Sequence, residues 1–327
     1  MAMTGSPAVL DKELPHGLVA EMAHLSSLPV AADFSFFVEE LRARFGVSLD
    51  AVLLYGSCLR AREIADGIAD FYVVVNSYHS AYRQRHLASL NAWLPPNVFY
   101  LEISAQEKTL RAKYAVVSTE DFERGTRRWF HPYLWARFAQ PVRLLYVRDE
   151  VVRQRIHFSL AHAVTTFLDQ VVSAFESGEV TVEEIWSRGL SLTYAAELRP
   201  ERETRARLLA QLNLDDYARL TAYACAGRVF EGRLIALANG NYRCEIGADT
   251  RLRSLRHWKL RRWQGRILSI LRLAKAAFTF QDGISYAVWK IERHTGVHVE
   301  VSPMLRRHPV LWGYKVFWKL LRRGLLR

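Results

Sequence analysis

Two short apolar runs joined by turn chemistry constrain this chain most. Ala51–Tyr55 (AVLLY) and Phe71–Val75 (FYVVV) are too short for buried helices and rich in β-branched and aromatic residues, so both read as strands. The first breaks at Gly56-Ser57, and thirteen residues beyond Ser57 the carboxylate Asp70 opens the second. Such an arrangement has a physical use. Gly56 lets the backbone approach a phosphate closely, and the Ser57 hydroxyl with neighbouring N–H groups can donate to a triphosphate. Asp70, on the adjoining strand, can hold Mg²⁺ against the same phosphates. An ordinary tight turn and a strand-entry carboxylate would leave the same letters. Glu102 lies in another apolar run, Val98–Ile103 (VFYLEI), where an unpaired carboxylate is costly. It is either a further metal carboxylate or one half of an ion pair on the solvent face.

Around this nucleus the sequence predicts a mixed α/β unit. A helix runs from Asp33 to Phe45 and closes at Gly46, another spans Ala81–Trp93 before Pro95-Pro96, and Val142–Val147 adds a strand. After Arg148 the texture becomes helical: Val151–Glu176, Val182–Leu198, Arg202–Leu212, Asp215–Leu237, then a break at Ala238-Asn239-Gly240-Asn241, and helices over Arg251–Phe278 and Gly283–His294. The expected division is an N-terminal extension (1–29), a mixed-sheet domain (30–148), a mostly helical domain (149–303) and a basic amphipathic tail (304–327).

Charge is distributed unevenly. Residues 251–327 hold 18 Lys or Arg against three acids, so this last quarter more than accounts for the net +12 and the remainder is slightly acidic. That asymmetry points to a polyanionic partner, either a nucleic acid or an anionic membrane surface. In the tail, Val310, Leu311, Tyr314, Phe317, Trp318, Leu321 and Leu325 share one helical arc, and Lys315, Lys319, Arg322, Arg323 and Arg327 fall mostly opposite. An aromatic apolar face backed by cations is the pattern of an interfacial helix. Cys58, Cys225 and Cys244 are too few and scattered for a disulfide framework, which suits a reducing compartment. The N-terminus lacks the pattern of a secretory leader, so a cytoplasmic bacterial protein is expected, peripheral on the inner face of the cell membrane. His294 and His298 are spaced as metal ligands on a helix would be, but Gly296 interrupts them; His79 after the second strand reads as a loop residue.

The Gly-Ser turn followed by a strand carboxylate resembles the nucleotidyltransferase superfamily, although the second acid of its Asp-x-Asp pair is Tyr72 here. More of the chain resembles one branch, the translocator assembly and maintenance family of peripheral phosphatidate cytidylyltransferases, in which a single Asp at this strand is usual. YGSCLR resembles that family's Tyr-Gly-Ser-Gly turn, IADFYVVV its Leu-Asp-Phe-x-Phe-x-Val strand, and KYAVVS (Lys113–Ser118) its Lys-Tyr-Gly-Val-Val-Ser. WFHPYLWARFAQPV (Trp129–Val142) and SLTYAAELR (Ser191–Arg199) follow in the family's order. Cys58 stands where the family has Gly, Gln140 where it has Lys, and Glu197 where it has Asp. The resemblance implies a nucleotidyltransferase-like sheet domain with a helical domain behind it. It further implies transfer of CMP from CTP to phosphatidate with Mg²⁺. Gly56, Ser57, Tyr194, Glu197 and Arg199 would then contact the nucleotide, Asp70 would hold metal with Glu102, and Lys113 and Arg137 would meet the leaving pyrophosphate or the lipid phosphate. Transfer to RNA or a small molecule, and a catalytically inactive membrane adaptor of the same fold, are the rival readings.

Overall fold

The structure is a computed structural model, and it describes residues 14–60, 68–105, 108–197 and 203–279. Arg199, the expected Gly283–His294 helix, His294, His298 and the amphipathic tail lie outside the described residues. In chain order the elements are α1 (His16–Ser27), α2 (Phe34–Phe45), β1 (Leu49–Tyr55), β2 (Ile68–Val75), α3 (Tyr78–Ala81), α4 (Arg85–Trp93), β3 (Asn97–Ala105), β4 (Lys108–Ser118), α5 (Thr119–Arg127), α6 (Trp135–Phe138), β5 (Arg143–Val147), α7 (Glu150–Val172), β6 (Gly178–Val180), α8 (Val182–Ala195), α9 (Glu203–Leu212), α10 (Leu214–Cys225), β7 (Leu234–Ala236), β8 (Tyr242–Cys244) and α11 (Ala248–Thr279).

Five strands form one mixed sheet in the order β3-β4-β2-β1-β5. β1 runs antiparallel to β2 and β5, β2 parallel to β4, and β3 antiparallel to β4. Burial on both faces explains why β1 and β2 are continuous apolar runs rather than alternating ones. Val52, Leu54, Phe71 and Val73 face a core closed by Phe34, Phe37 and Leu41 of α2. Ala51, Leu53, Tyr72 and Val74 face the opposite way, into a core shared with α6, α7 and α8. Sheet and helical region therefore meet through one continuous apolar interior. Inside the helical region Trp186 stacks between Phe167 (4.6 Å) and Tyr217 (3.8 Å), and its indole N–H donates to Thr221 Oγ1 (2.9 Å).

The mixed sheet and the helical region behind it are as the sequence predicts, with informative differences. The helix expected over Ala81–Trp93 is two, α3 and α4. The one expected over Asp215–Leu237 stops at Cys225, because the chain then supplies β7 to a small sheet, β6-β8-β7. Within the segment set aside as an extension, α1 buries Leu18, Met22 and Leu25 in the main core. Asp33 does precede α2, but its side chain makes no capping bond.

α11 carries most of the described basic stretch. Its inner stripe, Ser254, Trp258, Arg261, Gly265 and Lys275, is buried. The Arg261 guanidinium stacks on Phe130 (4.6 Å) and Trp258 (4.8 Å) and donates to the Phe130 carbonyl (2.7 Å). Burial lowers its pKa to about 10. A Cβ on Gly265 would run into the Ala196 carbonyl and lie 2.7 Å from His131 Nε2, so glycine is what allows α11 to seat against the end of α8. Of the two tryptophans of α11, Trp258 is a core residue and Trp263 is exposed.

Candidate active site

Antiparallel pairing of β1 with β2 sets the site. It brings the end of β1 to the start of β2, with Tyr55 opposite Asp70. Gly56 follows at φ +87°, a conformation L-residues avoid, and a Cβ there would lie 3.5 Å from Asp70 Oδ2. The turn and the carboxylate are thus side by side. Cys58 registers the same proximity: burial raises its thiol pKa, and the Asp70 charge raises it further. Its Sγ donates to the Ile68 carbonyl (3.3 Å), tying the turn to the entry of β2.

The sheet extends this row. Lys113 on β4 stands in register with Asp70, and Tyr100 on β3 with Lys113, so all share one face. Tyr72, two residues beyond Asp70, points to that face but is fully buried. Burial holds its phenol well above the ordinary pKa, with Tyr133 adding to the effect, so it stays neutral where a second carboxylate would be anionic.

Above Tyr72 sits Arg137. α6 places it there because Trp135 and Phe138 on either side are buried, Phe138 edge-on to Tyr72 at 4.8 Å. The guanidinium lies over Tyr133 (4.8 Å), Tyr55 (5.1 Å) and Tyr72 (5.8 Å). Its Nη1 is 3.4 Å from Tyr55 Oη and 3.3 Å from Tyr72 Oη, and its Nη2 is 3.9 Å from Glu197 Oε1. Burial opposes the charge, but the three tyrosines and Glu197 more than offset it, and the pKa is raised. This is a cation held in place by π-faces and one loosely paired carboxylate.

A cleft of about 250 Å³ collects these groups, lined by Gly56, Ser57, Asp70, Arg137, Tyr194 and Glu197 among others. Six of the residues singled out in the sequence are therefore brought together from β1, β2, α6 and the end of α8. Lys113 reaches the same sheet row without lining the cleft. Glu102 is not brought to it: it sits on β3 opposite Arg111, whose Nε is 3.0 Å away, and accepts from Tyr100 Oη at 2.8 Å. That is the ion-pair alternative. Gln140 lines the cleft but donates to the Ala136 carbonyl (3.0 Å).

Tyr55, Arg205 and Asn213 also line the cleft and were not anticipated. Tyr55 had a signal, as the last strand residue before Gly-Ser. Arg205 and Leu209 face the cleft from α9 at the four-residue spacing of a helix face. A larger groove of about 1170 Å³ between β6, α8 and α9 is lined by glutamates engaged elsewhere: Glu176 with Arg251, Glu179 with Asn239 and Asn241, Glu184 in the cap of α8. It lacks the turn and Asp70, so the smaller cleft is the candidate site.

A buried histidine, His131, packs behind the cleft against Ala196. His131 donates from Nε2 to the Ala196 carbonyl (3.3 Å), while its Nδ1 accepts from the Tyr133 N–H (3.2 Å). Burial, and after it the Arg272 charge, lower its pKa from 6.5 to about 4. The unfolded chain therefore binds more protons between those values, so stability is complete above about pH 6.5 and declines as pH falls toward 4. At about 1.4 kcal/mol per unit the full loss is roughly 3 kcal/mol. Urea denaturation across this window should show the decline, and His131→Gln, which keeps a donor near Nε2, should flatten it. An unchanged slope in the variant would assign the acid sensitivity elsewhere.

Ser57 is exposed at the cleft mouth. Ser57→Ala should leave the melting temperature near wild type and weaken nucleotide use by about 1.5–3 kcal/mol, the worth of one hydrogen bond to a charged group. Unchanged kinetics would make the turn purely structural.

No known protein family pattern matches the chain, and no curated protein matches it. Among solved structures, a nucleotidyltransferase-like protein from Exiguobacterium sibiricum aligns at 12% identity over 90% of this chain and 92% of that one, with a TM-score of 0.24. So loose a superposition carries no weight for the chemistry, which rests on the cleft.

Proposed function

We propose that the protein is a nucleotidyltransferase that passes a cytidylyl group from CTP to phosphatidate, forming CDP-diacylglycerol and pyrophosphate. The observation that carries the nucleotidyl part is the Gly56-Ser57 turn, in a positive-φ conformation, set against Asp70 with the Arg137 cation lining the same cleft. The lipid part is supported by the family resemblance of the motifs and by the basic C-terminal quarter.

A single carboxylate with substrate phosphates and water is an ordinary Mg²⁺ donor set, since Mg²⁺ keeps several waters. Asp70 fits that role; among the described residues no group of three or more His, Cys, Asp or Glu forms a denser cage. Mg²⁺, when bound, supplies charge neutralisation on the phosphates. The residues do the rest. Gly56 and Ser57 seat the triphosphate. An oxygen of the acceptor phosphate attacks the α-phosphorus, a new P–O bond forms, and the bond to the β-phosphate oxygen breaks as pyrophosphate leaves. The nucleophile is already anionic, so no strong base is required. Arg137 stabilises charge on the departing pyrophosphate or holds the acceptor phosphate, and the Tyr194 ring and Glu197 close the far wall.

The test is purified protein with labelled CTP, Mg²⁺ and liposomes with or without phosphatidate. Lipid-linked label that requires phosphatidate supports the reading. Label transferred to RNA instead, or no transfer to any acceptor, would replace it with nucleic-acid modification or an inactive adaptor. No described helix is long and apolar enough to cross a membrane.

A further inference from the structure

The outer face of α11 has an unusual composition. Leu252, Leu260, Trp263, Ile267 and Ile270 are 39–65% exposed. At 100° per residue they occupy one arc opposite the buried Trp258–Arg261–Gly265 stripe. Arg253, Arg256, Lys259, Arg262 and Arg266 are interleaved with them or flank them. None of these five cations has an ion-pair partner among the described residues, whereas Arg251, at the start of the helix, is paired with Glu176. The stripe runs about 27 Å along the helix.

We infer that this face of α11 is a docking surface for an anionic lipid bilayer, with the apolar side chains in the headgroup region and the cations against lipid phosphates. Charge complementarity selects the partner: cations with no ion-pair partner among the described residues, set around an apolar strip, suit a surface that is anionic outside and apolar beneath. A nucleic acid would reward the cations and Trp263 but not four exposed aliphatic side chains. The position is suitable too. The opposite face of α11 packs on Ala196 through Gly265, and Glu197, the next residue, lines the cleft. The surface thus stands about one helix diameter from the active site. Its link to a lipid substrate rests on the proposed function; vesicle binding itself does not.

The experiment is co-sedimentation of the full chain with vesicles of phosphatidylglycerol and phosphatidylcholine, without nucleotide. Wild type, Trp263→Glu/Ile270→Glu, Arg262→Gln/Arg266→Gln and Asp70→Asn would be compared, with thermal melts and gel filtration of each. The apolar double variant should partition at least about tenfold more weakly. The charge variant should lose about fivefold per cation, with a shallower salt dependence. Asp70→Asn should bind as wild type does. Binding lost with the apolar and charge variants alone supports the surface, and a failure of the separate labelled-CTP assay would then remove only the catalytic reading. The inference is overturned if the apolar variant sediments like wild type. It is also overturned if the variant loses thermal stability or self-association instead, marking the face as internal packing or a subunit contact. Labelled RNA bound through this face with vesicles ignored would equally overturn it.

Discussion

Asp70→Asn should reduce nucleotidyl transfer by about 10³-fold or more while the protein folds as before. The reason lies in what the substitution leaves alone. Asn has the shape of Asp and can still hydrogen-bond, and the β2 register is carried by backbone groups paired to β1 and β4. Only the negative charge beside Gly56 disappears. Two neighbours lose a counter-charge with it: Lys113, in register on β4, and any Mg²⁺ drawn to the triphosphate. Because Tyr72 is buried and neutral, no second acid on β2 can substitute. Turnover at saturating Mg²⁺ and CTP is the primary measurement, and the Mg²⁺ dependence of nucleotide binding is the independent one. The wild type should bind nucleotide more tightly as Mg²⁺ rises; the variant should respond little. Near-normal turnover would remove Asp70 from the chemistry. A variant that is inactive yet retains the full Mg²⁺ response would place the metal on other groups.

How much of this could be read in the letters depends on the range of the information. β1 and β2 were legible because both are buried on two faces, and continuous apolar runs between turn residues leave little choice. The placement of Gly56 against Asp70 was legible for the same reason: once the two strands pair antiparallel, the end of one must meet the start of the other. Glu102 shows the opposite case. Its apolar surroundings were plain, but whether it faced a metal or Arg111 depended on the β3–β4 register, which no local pattern specifies. Arg261 is similar. In sequence it is one more cation in a basic helix; in the fold it is buried, and the distant Phe130 carbonyl, the Gln170 side chain and the Trp135 ring explain why. The same long-range logic hid β7, three residues that read as the end of a helix until β8 is there to pair with them. Arg205 escaped because a helix face is not a motif: the four-residue spacing to Leu209 says only that both point one way.

The Arg137 site separates two effects that are usually confounded, charge and shape. Arg137→Lys keeps the charge and Arg137→Gln removes it, yet both should lower kcat/KM by about 10²-fold or more. A lysine cannot lie flat between the Tyr133 and Tyr55 rings, nor reach Glu197 and a substrate phosphate at once, because its charge is a single point on a flexible stem. Stability should divide the variants differently. Gln leaves Glu197, 16% exposed, without the cation at 3.9 Å, and strips the cage of its occupant, a loss of about 1–3 kcal/mol. Lys retains part of that compensation and should unfold closer to wild type. The informative comparison is therefore residual activity per folded molecule, measured well below the melting temperature of both. If Lys restores stability but not activity, the planar fork is what the reaction uses, and Arg137 touches a phosphate in the transition state. If activity instead tracks stability across wild type, Lys and Gln, Arg137 only props the wall between α6 and α8. Among the described residues lining the cleft, the other cation that could make the phosphate contact is Arg205, whose side chain is exposed on α9. Arg205→Gln would next be expected to show the loss in KM for CTP that Arg137 had failed to show.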